Sequence, residues 1–384
     1  MSAATVGLGR AGVFSPEEDE ALMAEALAVG QLGLGRTWPN PSVGAVVVRP
    51  TSAGPQILGR AGTAPAGRPH AEPLALAQAG DAARGATLYV TLEPCSHFGR
   101  TPPCADAVIA AGITRVVAAV EDPDPRVRGR GVARMRAAGL WVTVGVGAER
   151  ALEDHAGHIS RVTRGRPHVL LKMAVSADGK AGLEGPRPAA ITGEEARARV
   201  HLMRAHADAI VVGIGTVLAD DPQLTVRLPG MDVRSPVRIV LDGDLRLPTT
   251  SGLVRTAEQV PVWAIAAEDA PAEREKVLVD AGVQVLRAPR AASGRLDLPA
   301  VMKLLGLLGV TRLMVEGGPQ VAAALLDEGL VDEVAVLRSP GALGAGALDA
   351  LAGRPLTRLT EPVGFAVVER TELGRDSLMR LRRL

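Results

Sequence analysis

Short apolar runs alternate with helix-like stretches along almost the whole chain, and this alternation restricts it to layered α/β folds. Ser15 can cap a first helix, Pro16 suits its first position and Glu18 completes a capping box. Leu22, Ala26 and Val29 follow at helical spacing, and Gly30 is a natural stop. Residues 43–48 then read as a buried strand, 70–78 as a helix, 87–91 as a strand, the region after Pro103 as a helix, and 116–120 and 142–146 as strands. A polar helical stretch ends at Gly165-Arg166-Pro167. The strand pattern restarts at 168–175 and recurs at 209–212, 237–241, 260–265, 312–315, 333–337, 365–369 and 378–381. The reading is a first domain over 1–150, a helical linker over 151–167 and a second α/β domain over 168–384. A chain of 384 residues can give each domain its own core.

Composition removes several functional classes. The formal net charge is +1, so no global basic field exists to hold nucleic acid or an anionic membrane. Aromatic residues make up 2% of the chain, too few for base-stacking platforms. The most apolar short run, 304–310, contains two glycines and falls far short of the ~18 residues needed to span a bilayer. The N-terminal region leads into Glu17, Glu18, Asp19 and Glu20 rather than an apolar segment, so the cytoplasm is the expected compartment. The two cysteines, Cys95 and Cys104, cannot form a disulfide framework. Among 43 basic residues only Lys172, Lys180, Lys276 and Lys303 are lysines. The pair Lys172 and Lys180 therefore stands out.

The chemistry concentrates first in Pro69-His70-Ala71-Glu72, Pro94-Cys95 and Pro103-Cys104. One imidazole and two thiolates make a catalytic zinc set with a fourth position open to water. Zinc would lower the pKa of that water. Glu72, two residues beyond His70 near a helix start, would shuttle the proton to the ring nitrogen and the leaving amine. This order of residues is the signature of zinc nucleobase deaminases. It departs from the usual form in one respect: eight residues, Ser96 to Pro103, separate the cysteines instead of two. His97 is a candidate for holding a substrate oxygen or phosphate, together with Arg100. His155 and His158 lie three apart with no accompanying ligand set and read as solvated helix residues.

The stretch from Tyr89 through Thr91-Leu92-Glu93-Pro94-Cys95-Ser96-His97-Phe98-Gly99-Arg100 to Cys104 resembles the zinc loop of the bifunctional riboflavin-biosynthesis deaminase/reductase family. Pro39-Asn40-Pro41-Ser42-Val43-Gly44, Asp122-Pro123-Asp124-Pro125 and Gly129-Arg130-Gly131 carry the same resemblance, which extends from about residue 21 to 381. It implies a cytidine-deaminase-like three-layer α/β/α domain followed by a dihydrofolate-reductase-like α/β domain. Asn40 and the inserted loop would face the pyrimidine. The family continues after the glutamate with Val and His, where this chain has Pro73 and Leu74.

In the second half, Val212-Gly213-Ile214-Gly215-Thr216 and Val315-Glu316-Gly317-Gly318-Pro319 are glycine turns after strands, suited to a phosphate at a helix start. Leu218 stands where a Rossmann fingerprint wants a third glycine. Arg204 and Arg227 could clamp a phosphate monoester, or pair with Glu194, Glu195 or Asp220. The resemblance implies a cofactor or catalytic neighbourhood here, with Lys172 catalytic and NADPH near Ala174, Thr192, Thr216, Asp220, Gly318, Pro319 and Gln320. It implies substrate at Arg204, Leu224, Arg227 and Glu316. The family has Ser and Trp before Ile-Thr; this chain has Pro188 and Ala190 before Ile191-Thr192.

The expected function is deamination of a phosphoribosylaminopyrimidine followed by NADPH-dependent reduction of its ribose. The expected partner is this small phosphorylated pyrimidine, with no nucleic acid and no membrane, and the expected assembly is a homo-oligomer. Two other readings compete: a tRNA adenosine or cytidine deaminase with an accessory domain, and a zinc-stabilised scaffold with a nucleotide-sensing second domain.

Overall fold

The computed structural model describes residues 14–99, 102–183, 191–360 and 364–384. The chain divides into two compact units, 1–163 and 164–384. Arg100, Pro188 and Ala190, singled out above, lie outside the described residues.

Among the described residues, the first unit builds a five-stranded sheet in the order β2-β1-β3-β4-β5. The strands are β1 (Gly44–Thr51), β2 (Gly54–Gly62), β3 (Thr87–Val90), β4 (Arg115–Ala118) and β5 (Trp141–Val144). β1 pairs antiparallel with β2 and β3, and β3, β4 and β5 run parallel. Its helices are α1 (Pro16–Gln31), α2 (Ala71–Ala79), α3 (Cys104–Ala110), α4 (Arg130–Ala137), α5 (Ala148–Asp154) and α6 (Ala156–Arg164). α1 packs with α5, while α2, α3 and α4 pack in series, which completes three layers.

Local sequence accounts for these elements. The capping box at Ser15 and Glu18 is present in both directions. α1 buries Leu22, Met23, Ala26 and Leu27 against the sheet. A Cβ on Gly44 would stand 1.8 Å from the Ala26 carbonyl oxygen, so only glycine lets β1 approach α1 this closely. Arg115 and Tyr89 both donate to the buried Asp19 of α1, tying it to β4 and β3. β2 was not anticipated, because its glycines and exposed residues carry no apolar alternation.

The second unit forms a nine-stranded sheet, β11-β10-β9-β8-β12-β6-β13-β16-β15, with a small ribbon β14-β7, among the described residues. The strands are β6 (His168–Val175), β7 (Lys180–Leu183), β8 (Ala209–Gly213), β9 (Val237–Leu241), β10 (Val262–Ala267), β11 (Gln284–Ala288), β12 (Arg312–Val315), β13 (Glu333–Arg338), β14 (Ala347–Asp349), β15 (Phe365–Leu373) and β16 (Asp376–Arg383). From β11 to β13 neighbours run parallel; β16 and β15 are antiparallel. Its helices are α7 (Glu194–Ala205), α8 (Ile214–Asp220), α9 (Gly252–Arg255), α10 (Ala272–Asp280), α11 (Leu298–Leu307) and α12 (Pro319–Asp327). No helix among the described residues is long and apolar enough to cross a membrane.

The reading of His155 and His158 as solvated is corrected here. Both are buried. His155 Nε2 lies 3.1 Å from Thr91 Oγ1, and His158 Nε2 lies 2.9 Å from Asp122 Oδ1. These polar partners offset the burial of the rings.

Candidate active sites

Three helix and loop ends converge in the first unit. His70 caps the start of α2, Cys104 opens α3, and Cys95 sits in the loop that follows β3. Their ligand atoms lie within 4.8 Å of one another. His70 Nδ1 is 3.3 Å from Cys104 Sγ and 3.8 Å from Cys95 Sγ, and the Cys104 backbone N–H donates to Cys95 Sγ at 3.3 Å. Pro103 ends the extended loop at the point where the helix begins, and the Ala105 N–H donates to the Cys95 carbonyl.

The electrostatics of this cluster suit a cation. The hydrogen bond from Cys104 pulls the Cys95 thiol down to about 4, against a burial that works the other way. Cys104 is pushed far up by its bond to Cys95 and by burial. His70 is raised, chiefly by its contact with Cys95. Zinc fits this set of two sulfurs and one nitrogen, since it accepts both thiolates at once. Glu72, buried in the first turn of α2, is lifted to about 7 by that burial and by the charge of Cys95.

Around these ligands stand residues to which sequence reasoning gave no role. Glu93, two positions before Cys95, is buried and accepts three backbone N–H groups, from Asp122, Gly129 and Val132. Thr91 accepts from the Gly44 N–H. Asp122 accepts from the Asp124 N–H. From the motifs at 39–44, 122–125 and 129–131, the Gly44, Asp122 and Gly129 N–H groups each hydrogen-bond a side chain of the segment 91–95. Asn40 donates to the Gly67 carbonyl at 2.8 Å, three residues before His70. His97 is half-buried on the inter-cysteine loop, and its Nδ1 is buried without a hydrogen-bond partner. Leu74 packs against the core from α2.

In the second unit, strand register assembles a charged cluster. Parallel pairing sets Val315 of β12 beside Leu171 of β6, so the next residues, Glu316 and Lys172, are neighbours. Lys172 Nζ lies 3.5 Å from Glu316 Oε2. Arg204, near the end of α7, donates through Nε and Nη2 to the two oxygens of Glu316, at 2.6 and 3.0 Å, and through Nη1 to the Thr225 carbonyl. The partner of Arg204 is thus Glu316, rather than Glu194, Glu195 or Asp220. Arg227 follows on the same loop, with its guanidinium on Gln223 and Thr225 and its N–H on His201 Nδ1. Leu224, between them, is buried with φ +56°.

The two glycine turns are adjacent because β8 pairs with β12. Gly213 caps α8 and Gly318 caps α12, and the Gly318 N–H donates to Thr216 Oγ1 at 3.1 Å. A Cβ on Gly213 or Gly317 would come within 3 Å of Val321, so glycine permits this approach. Pro319 and Gln320 open α12, and Asp220 closes α8. Ala174 shares the half-buried face of β6 with Lys172. The Thr192 carbonyl accepts from Arg197.

Residues 16–120 match the family model for the cytidine and deoxycytidylate deaminase zinc-binding region, and residues 167–366 match that for the RibD C-terminal domain. The riboflavin biosynthesis protein RibD of Aquifex aeolicus (strain VF5) is 43% identical over 330 residues, spanning 86% of this chain and 89% of that protein. A solved structure of Acinetobacter baumannii RibD superposes with a TM-score of 0.83 at 35% identity, covering 96% of this chain and all of that one. The diaminohydroxyphosphoribosylaminopyrimidine deaminase/5-amino-6-(5-phosphoribosylamino)uracil reductase of Thermotoga maritima gives a TM-score of 0.82 at 35% identity, over 96% and 99% of the two chains.

Proposed function

The chain belongs to the RibD family of riboflavin biosynthesis proteins and is a deaminase/reductase, and from that premise we propose which residues carry each step. The substrate of the first step is a 2,5-diamino-6-(phosphoribosylamino)pyrimidin-4-one, and its deaminated product is the substrate of the second. The observation that carries the reading is the cluster of His70, Cys95 and Cys104 with the buried Glu72 beside it. Matches across both units leave the nucleic-acid deaminase reading without support.

His70, Cys95 and Cys104 would hold zinc, which when bound would supply Lewis acidity that lowers the pKa of water. Glu72 takes the proton of the attacking water and delivers it to the ring nitrogen, then takes the proton of the added hydroxyl and delivers it to the leaving amine, which departs as ammonia. Asn40 and His97 hold the pyrimidine.

In the second unit, the backbone at Gly318, Pro319 and Gln320, with Ala174, Thr192, Thr216 and Asp220, holds NADPH. When bound there, that cofactor would supply hydride-transfer chemistry for reduction of the opened ribose. Lys172 hydrogen-bonds the carbonyl oxygen as it gains negative charge. Arg204 and Arg227 form the positive rim for the phosphate, and Leu224 and Glu316 complete the substrate site. The compartment is the cytoplasm and the assembly a homo-oligomer, which sedimentation would check.

The deciding experiment incubates purified protein with the phosphorylated diaminopyrimidine, with and without NADPH, and identifies products by mass. Ammonia release without NADPH, and gain of two hydrogens only with it, are the expected results. Unchanged substrate in both arms would refute the reading.

A further inference from the structure

Glu93 is the most heavily engaged carboxylate near the metal ligands, and the proton chemistry has no use for it. Its Oε2 accepts from the Asp122 and Gly129 N–H groups at 3.2 and 2.9 Å, and its Oε1 accepts from the Val132 N–H at 3.0 Å. The Val132 group belongs to the first turn of α4, where backbone donors lack helical partners and the dipole favours a negative charge. Glu93 also donates its own N–H to the Val120 carbonyl. A second contact fixes the same segment from the same helix. A Cβ on Gly131 would stand 2.1 Å from the Pro94 carbonyl oxygen, so α4 lies directly against the peptide joining Glu93 to Cys95.

We propose that Glu93 is a positioning residue for the metal site, and that Gly131 is the second half of the same brace. Resting on the zinc reading above, the proposal assigns this brace to placing the Cys95 sulfur. Cys104 and His70 take their positions from helix starts, α3 and α2. Cys95 stands in a loop, so its position depends on what grips that loop. Glu93 supplies the grip through charge-assisted hydrogen bonds, and Gly131 supplies it through close packing. Groups that orient a metal ligand in this way typically contribute about 10- to 100-fold in metal affinity.

The test is metal binding in the full chain, with zinc affinity measured by competition with a chelating dye and geometry read from the cobalt-substituted protein. Glu93→Ala is expected to weaken zinc by about 10- to 100-fold and to reduce the thiolate-to-cobalt charge-transfer absorption. Gly131→Ala, whose Cβ would press on the Pro94 carbonyl oxygen and the Glu93 side chain, is expected to change the cobalt spectrum in the same sense. Glu93→Gln keeps the side-chain volume but turns one acceptor into a donor facing an N–H, and is expected to give a smaller loss. Native circular dichroism with wild-type affinity and spectrum in Glu93→Ala or Glu93→Gln would overturn the proposal. If Glu93→Ala fails to fold, Glu93→Gln decides. If that variant is also unfolded, Glu93 serves folding alone and the positioning role is overturned. A wild-type protein that takes up neither zinc nor cobalt refutes the zinc reading itself, a result separate from normal binding in the variants.

Discussion

Arg204 grips both carboxylate oxygens of Glu316, while Lys172 approaches one of them at 3.5 Å. One buried negative charge therefore stands between two cations. The residual charge of the cluster is positive, the sign required beside a phosphorylated substrate whose carbonyl oxygen becomes anionic during reduction. β6 and α7 supply the two cations, and Glu316 follows directly on the last residue of β12, so strand register and one helix set the cluster.

Glu316 should link stability to pH. Burial works to raise its pKa, but Lys172 and Arg204 outweigh that and hold it at about 2, below the ordinary 4.5. A depressed carboxylate stabilises the fold above its unfolded pKa, and that contribution is lost as pH falls through the folded value. Glu316→Gln should therefore cost about 3 kcal/mol at pH 7, since it leaves two cations without their counter-ion. The gap to wild type should close between about pH 4.5 and 2. Urea unfolding at several pH values checks this, and equal stability at pH 7 would contradict it.

Metal content should be about one zinc per chain, held by three protein ligands. Cys95→Ala should lose both the metal and deamination. Chelation of the wild type should abolish deamination while leaving reduction of the deaminated substrate intact. Elemental analysis after gentle purification is the check, and well under half a zinc per chain would show the ligand assignment to be wrong.

Glu72→Gln should keep the zinc and lose deamination. The substitution is nearly isosteric but cannot take up a proton, and removing an acid–base group typically costs ~10²-fold or more. Wild-type ammonia release in this variant would exclude the proton-shuttle role. Reduction of the deaminated substrate, a function of the other unit, should be unchanged.

Much of this was legible in the residues. The strands at 237–241 and 312–315 coincide with the observed β9 and β12, because short, mostly apolar runs announce buried parallel strands. His70, Cys95 and Cys104, whose ligand atoms group within 4.8 Å, were visible as a candidate metal set, because few other chemistries use those residue types in that order. What stayed hidden depends on distant partners. His155 and His158 carry no local sign of burial, and their partners Thr91 and Asp122 are 64 and 36 residues away. The Arg204–Glu316 pair, 112 residues apart, follows from strand register that no local pattern records. Glu93 was written inside a recognisable motif, yet its role appears only when α4 is folded back onto it.

Lys172 and Arg227 should fail in different ways. Lys172 is mostly buried on β6, next to Glu316, where an ammonium can meet charge that develops only during hydride transfer. Lys172→Met should lower kcat with little change in KM. Glu316 would keep its two bonds from Arg204, so the cluster should survive the substitution. Arg227 lies exposed on the loop after α8, with its guanidinium held loosely by Gln223 and Thr225. A phosphate contact there is equally strong in ground and transition states, so Arg227→Ala should mainly raise KM. Loss of a charge-assisted bond corresponds to an increase of roughly 10-fold or more. Steady-state kinetics at saturating NADPH with the deaminated substrate separate the two. A dephosphorylated substrate adds an internal control: it should be indifferent to Arg227→Ala but still sensitive to Lys172→Met. Identical patterns in the two variants, or a wild-type reduction rate in Lys172→Met, would exclude this division of roles.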